Sequence, residues 1–165
     1  MHIKSIYNRW RSSSPKNNKE KGDIFENFVG DLIDLIPGLN FARKNVLTET
    51  SEVDLHFDIG KEIEELYPIK GKVAVVECKD VDRKINVKDI SHIVCELLER
   101  KITFGGFVAN NYFTENAKNR VFHFYKSHNL TIFLIDKDDL ENIYNQTNNI
   151  EKLLYHRIIE ELQFR

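Results

Sequence analysis

Residues 73–79 read Val-Ala-Val-Val-Glu-Cys-Lys, a β-branched apolar run that ends in an acid and, two positions on, a base. Such a run predicts a strand buried on both faces, at the centre of a sheet rather than at its rim. Side chains alternate along a strand, so Glu77 and Lys79 share one face and Cys78 takes the other. Charged groups at the end of so apolar a strand are costly to desolvate unless each finds a partner. A metal ion would be such a partner for Glu77.

The pattern on either side says what packs around that strand. Ile24, Phe25, Phe28, Val29, Leu32, Ile33 and Ile36 recur at helical spacing and predict a helix closed by Pro37-Gly38, with Asp23 as its N-cap. Residues 41–47 and 53–59 read as strands. Between 59 and 73 lies an insertion containing Ile63, Leu66 and Tyr67, ended by Pro68 and Gly71. Beyond the central run, a helix over 87–100, a strand over 102–109, a helix over 114–126 and a strand over 130–135 alternate. That alternation implies crossover connections and a partly parallel sheet. The fold class is α/β: a mixed central sheet flanked by helices. Ser12 to Lys21 is polar and reads as a flexible linker. The expected division is an N-terminal segment with linker at 1–21, a core domain at 22–136 and a helical extension at 137–165. Ile150, Leu153, Leu154, Ile158 and Leu162 stripe that extension, either as packing on the domain or as a dimer seam.

A second acid, Asp54, stands between Val53 and Leu55 on the preceding strand. If the two strands are adjacent and antiparallel, Asp54 and Glu77 reach one cation. Two carboxylates, the Cys78 backbone carbonyl and water make an oxygen-only site of the kind Mg²⁺ prefers, with Mn²⁺ able to substitute. Such a cation would acidify water and neutralise charge on a phosphodiester. Lys79, a compact ammonium, would help orient that water and stabilise the charged phosphorus centre. The plainer alternative is a Glu77–Lys79 ion pair at a sheet edge with Asp54 capping a turn.

Bulk properties narrow the setting. Net charge is −2, unlike a dedicated sequence-indifferent DNA binder. The sum hides basic clusters at Lys16, Lys19 and Lys21, at Arg43 and Lys44, and at Lys79, Arg83, Lys84 and Lys88. No apolar run approaches the ~20 residues needed to cross a bilayer, so no membrane role is expected. The two cysteines, Cys78 and Cys95, form no CxxC pair, so neither a disulfide framework nor a zinc site follows and the cytoplasm is the expected compartment.

Asp54…Glu77-Cys78-Lys79 matches the D…(D/E)xK signature of the PD-(D/E)xK, restriction-endonuclease-like nucleases, with Val53 where the class name has Pro. Within that class the chain resembles the Mrr-like restriction endonuclease domain. Lys21-Gly22-Asp23-Ile24-Phe25-Glu26 resembles the start of its first helix, and Ser51-Glu52-Val53-Asp54-Leu55 its Asp-bearing strand. Ala74-Val75-Val76-Glu77-Cys78-Lys79 resembles its core strand, and the stretch from Val108 to Ala117 its later strand and F-T-x-x-A helix start. The resemblance spans roughly 22–135. It implies an αβββαβ core and a metal-dependent endonuclease acting on DNA, with RNA possible, of the restriction or defence type. It also implies a homodimer, since such domains cut duplexes in pairs, and a partner protein for recognition or activation. The rivals are a Holliday-junction-resolvase-like nuclease and a catalytically silent DNA-binding module of the same fold.

Other residues carry two readings each. Glu26 is either the N3 member of a capping box with Asp23 or, as in related nucleases, an acid beside the metal and its water. His56 shares the face of Asp54 and either borders the site or is a satisfied surface histidine. Arg83, Lys84 and Lys88 are expected to contact phosphates. His92 and Cys95 lack a further ligand pair. Thr114 is expected as an N-cap, and Tyr112 and Phe113 either stack on a base or belong to the core.

Overall fold

The apolar run forms the middle strand of a five-stranded sheet. The protein's computed structural model describes residues 3–47, 52–61, 71–146 and 150–163. In chain order the elements are α1 (Ile3–Arg11), α2 (Asn18–Ile33), β1 (Leu39–Leu47), β2 (Glu52–Ile59), β3 (Val73–Lys79), α3 (Val87–Glu99), β4 (Phe104–Ala109), α4 (Glu115–His128), β5 (Thr131–Ile135), α5 (Lys137–Gln146) and α6 (Ile150–Gln163). The strands lie in sequence order, β1-β2-β3-β4-β5. The first two pairings are antiparallel and the last two parallel. The sheet is therefore mixed, as the alternation of patterns predicts.

Each face of the sheet is covered by its own helices. On one face Ile6 and Trp10 of α1, Phe25 and Leu32 of α2, Leu140 of α5 and Leu154 of α6 pack on Leu55, Phe57, Val76 and Phe133. On the other, Ile90, Ile93 and Leu97 of α3 and Ala117 and Val121 of α4 pack on Val75, Phe107 and Ile132. Consecutive residues of β3 thus serve different cores: Val75 belongs to the second, Val76 to the first. Burying large side chains such as these stabilises by roughly 1.5–3 kcal/mol each, which fixes the strand's orientation and, with it, where Glu77 and Lys79 point. β4 and β5 meet closely. A β-carbon on Gly106 would fall on the ring of Phe133, so any side chain there forces that ring to move.

Two expectations need correction. α2 begins at Asn18, not at Asp23. Its N-cap is Asn17, whose side-chain oxygen accepts from Glu20 N at 2.8 Å, while the Glu20 carboxylate accepts from Lys16 N at 2.6 Å. A polar first turn satisfied by its own caps hides a helix start from any apolar pattern. Residues 18–21, read as linker, are that turn. In consequence Glu26 is not at N3 and no capping box with Asp23 forms. The N-terminal segment before that linker is α1, which packs into the core: Ile6, Tyr7 and Trp10 are buried, with the Trp10 ring stacked on Phe28 at 4.4 Å.

Elsewhere local signals hold. Thr114 caps α4, accepting from Ala117 N at 3.2 Å. Asn86 and Asp89 form a reciprocal capping box on α3. Ile150 and Leu154 pack into the first core. The insertion with Ile63, Leu66 and Tyr67 lies outside the described residues, as do the side chains of Ile158 and Leu162. No helix among the described residues is long and apolar enough to cross a membrane.

Candidate active site

β3 is paired to different depths on its two edges. Toward β4 the ladder runs to Lys79↔Ala109 and continues as Asn110 N donating to the Lys79 carbonyl at 3.0 Å. Toward β2 it runs from Asp58↔Val73 to Leu55↔Val76 and stops. The next opposed pair in that register would be Asp54 and Glu77. Instead of a ladder bond, the Cys78 N–H donates to Asp54 Oδ2 at 2.8 Å. β2 and β3 therefore end in a fork, with one acid on each prong. In a strand a residue's N–H and C=O point to the same edge, so the Cys78 carbonyl also faces the fork.

Glu77 is buried, 7% exposed, and Lys79 Nζ lies 3.3 Å from its Oε1. The ion pair anticipated as the plainer reading exists. The pair does not cancel the effect of burial on Glu77, however. Burial pushes the Glu77 carboxyl up from its ordinary range; Lys79 pulls it down, and Glu26 and Glu96 push it up further. The Cys78 thiol is also driven well up, first by burial and then by Asp54. It sits in the first core as an inert apolar group, so only its backbone is available to the fork.

Glu26 reaches the same place from α2. Burial raises its carboxyl, and the charge of Asp54 is the next largest cause. Lys44 of β1 opposes this, with Nζ 3.2 Å from Glu26 Oε2. Glu26, Asp54 and Glu77 are thus within electrostatic reach of one another around the fork.

The residues present fit a hard cation. Among the described residues no group of three or more His, Cys, Asp and Glu side chains stands ready to hold a metal ion. Asp54, Glu77 and the Cys78 carbonyl present oxygens only, and the buried Glu77 carboxylate has Lys79 on one side and the like charges of Glu26 and Glu96 within reach. Magnesium-type sites, completed by water, need little more.

Of the remaining predicted residues, Arg83, Lys88, His92 and Cys95 line a groove of about 550 Å³ that runs along α3 from Lys79. Arg83 binds Asp89 with two contacts, at 2.7 and 2.8 Å. That contact raises the guanidinium's affinity for its proton and holds the Asp89 carboxyl below its usual range. Lys84 and Lys88 are exposed. His92 and Cys95 are exposed on α3. Tyr112 is half-exposed and donates to Asp138 Oδ1 at 2.9 Å, whereas Phe113 is core.

Pattern reading missed two features. Glu96, on α3, is buried and receives Arg100 Nε at 3.1 Å, while Arg100 Nη1 lies 3.4 Å from His56 Nε2. The i,i+4 spacing of Glu96 and Arg100 is a visible signal for the pair, but its link to His56 is purely tertiary. Lys44 is the second. In sequence it is one of two adjacent bases on a weak strand, with nothing to tie it to α2.

The restriction endonuclease family Mrr_cat matches residues 18–144. No curated protein matches the chain. Among solved structures, the DNA modification-dependent restriction endonuclease AspBHI superposes with a TM-score of 0.54 at 17% identity, covering 93% of this chain and 36% of that one. A protein of unknown function superposes at 0.50 with 18% identity, over 78% of this chain and 62% of its own. These likenesses concern the fold. The chain spans about a third of the first relative's length and less than two thirds of the second's.

Proposed function

The chain belongs to the restriction endonuclease family matched over residues 18–144, and from that premise we propose that it is a metal-dependent endonuclease that hydrolyses phosphodiester bonds in DNA at the β2–β3 fork. The observation that carries the proposal is the meeting of Asp54 and Glu77 where the ladder stops, with Cys78 N–H on Asp54 and Lys79 on Glu77. Four polar groups gathered at the end of a buried strand cost stability; a fold retains that arrangement for chemistry more readily than for packing. The family match gives no preference to a junction resolvase or to a silent DNA-binding module.

Asp54, Glu77 and the Cys78 carbonyl would hold Mg²⁺, or Mn²⁺ in its place. When bound, the cation supplies charge neutralisation at the phosphate and makes water more acidic. The side chains do the rest. Lys79, partly exposed at the mouth of the groove, orients the attacking water and stabilises negative charge on the phosphoryl oxygens. Glu26 accepts a hydrogen bond from that water. The water gives up a proton to solvent as its oxygen bonds to phosphorus, the P–O bond to one sugar oxygen breaks, and that oxygen takes a proton from solvent in turn. Lys84 and Lys88 contact the DNA backbone as point charges. Arg83 chiefly steadies the start of α3 through Asp89, its outer face left for a phosphate.

A single fork cuts one strand, so duplex cleavage takes two copies and the working unit is a homodimer. Target recognition or activation falls to a partner protein. Two free cysteines suit a reducing cytoplasm.

The test is to incubate wild type and Lys79→Ala with supercoiled plasmid, linear duplex, single strands, a four-way junction and RNA, each with Mg²⁺, Mn²⁺ or EDTA. Metal-dependent cleavage by wild type, reduced about 10²–10³-fold in the variant, is the expected outcome. If both proteins leave all substrates intact yet bind DNA equally, the silent binding module replaces this reading.

A further inference from the structure

The Lys44 ammonium is placed with more care than a surface lysine requires. Lys44 pairs with Leu55 across β1 and β2, one residue from Asp54. Its side chain crosses to α2 and meets three acceptors there: the Asp23 carbonyl at 3.1 Å, Asn27 Oδ1 at 3.0 Å and Glu26 Oε2 at 3.2 Å. Three acceptors match the three N–H groups of an ammonium. Two of them, neutral and fixed on neighbouring helical positions, locate the charge. The third contact is different in kind, because Glu26 Oε2 is a buried carboxylate oxygen 3.2 Å from the ammonium, so the attraction of opposite charges adds to it. A surface ion pair would contribute little, but here both partners are mostly covered, with side-chain exposures of 23% and 14%.

An anion in that place has a problem without Lys44. Glu26 is half-buried, with its Oε2 out of reach of solvent, and stands near the like charge of Asp54. Left alone it would swing toward solvent or turn toward the cation prong, and in either case leave the position from which it meets the water. The small cavity beside it, about 90 Å³ and bordered by Glu26, Lys44 and Leu55, gives it room to do so.

We propose that Lys44 is a positioning residue for Glu26, holding that carboxylate at the β2–β3 fork from the edge strand β1 by its anchorage to Asp23 and Asn27. Lys44 touches neither phosphate nor cation; it acts through Glu26. The inference rests on the nuclease reading and on the part given there to Glu26.

The experiment is a double-mutant cycle on cleavage at saturating DNA with wild type, Lys44→Met, Lys44→Arg, Glu26→Gln and the Lys44→Met/Glu26→Gln double variant. Methionine keeps the apolar stem, and thermal melting of each variant reports its folding. Lys44→Met should lose about 10–100-fold in rate, as a misplaced side chain does, with little change in the DNA concentration for half-maximal rate. Lys44→Arg should recover most of the loss. The double variant should be no slower than Glu26→Gln alone, because the lysine has nothing left to position. Equal rates for wild type and Lys44→Met overturn the inference. So do losses that multiply in the double variant, or a loss confined to DNA affinity, which would mark Lys44 as a phosphate contact. A wild type inert on every substrate removes the nuclease reading first, and the inference with it. Distinct from that, an active wild type with an indifferent Lys44 removes the inference alone.

Discussion

The two edges of β3 follow opposite designs. On the β4 side the parallel ladder is complete to Lys79, every residue of β4 and β5 is buried, and the tolerance is so small that Gly106 has no room for a methyl group beneath Phe133. On the β2 side the ladder stops at Leu55↔Val76, and beyond it acids take the place of paired backbone. One half of the sheet is packed for stability; the other gives up pairing and keeps a buried carboxylate, Glu77, beside a half-buried one, Asp54. Rigid elements place a site better than loops do, and here the rigid half is the one that holds the prong bearing Glu77 and Lys79.

If that division is real, substitutions on the two sides should separate stability from cleavage. Phe133→Ala on β5 should cost about 3–5 kcal/mol in urea unfolding, while the folded fraction cleaves DNA at the wild-type rate. Gly106→Ala should cost less, about 1–3 kcal/mol, since the Phe133 ring must shift to admit it. Thr114→Ala, which removes the N-cap of α4, should cost about 1 kcal/mol, again with cleavage unchanged. A large loss of cleavage per folded molecule in any of the three would blur the distinction.

The fork should behave in the opposite sense. The Glu77 carboxyl titrates above its ordinary value in the folded chain, so the folded state holds that proton more tightly than the unfolded one. Ionised Glu77 therefore costs stability at neutral pH, and the cost disappears as pH falls below the ordinary glutamate range. Glu77→Gln, measured without divalent cations, should raise the melting temperature at pH 7. It should give no gain near pH 4, and cleavage should be lost. A variant no more stable at pH 7 would show that Lys79 already offsets the burial.

Much of this was written in the sequence. The apolar run of β3 predicted a central strand, and its period-two alternation put Glu77 and Lys79 on one face. Asp54 was found from its place on the preceding strand, and the mixed order of patterns predicted the mixed sheet. What pattern could not reach has a common cause. The start of α2 is capped by polar residues that carry no apolar period. The packing of Tyr7 and Trp10 depends on a helix they do not touch in sequence. The contacts of Lys44 with α2, and of Arg100 with His56, arise only when distant elements close on each other. Local periodicity announces which face is buried; it does not announce which charges meet across the fold.

The most direct measurement is the single-turnover cleavage rate of Asp54→Asn against wild type in Mg²⁺, with circular dichroism and melting of both. Asparagine keeps an oxygen to accept the Cys78 N–H but loses the charge, so the fork stays closed. A rate reduced about 10²–10³-fold in a protein that folds and melts as wild type does is the result expected of a nuclease built at the fork. Cleavage by Asp54→Asn at the wild-type rate would contradict it.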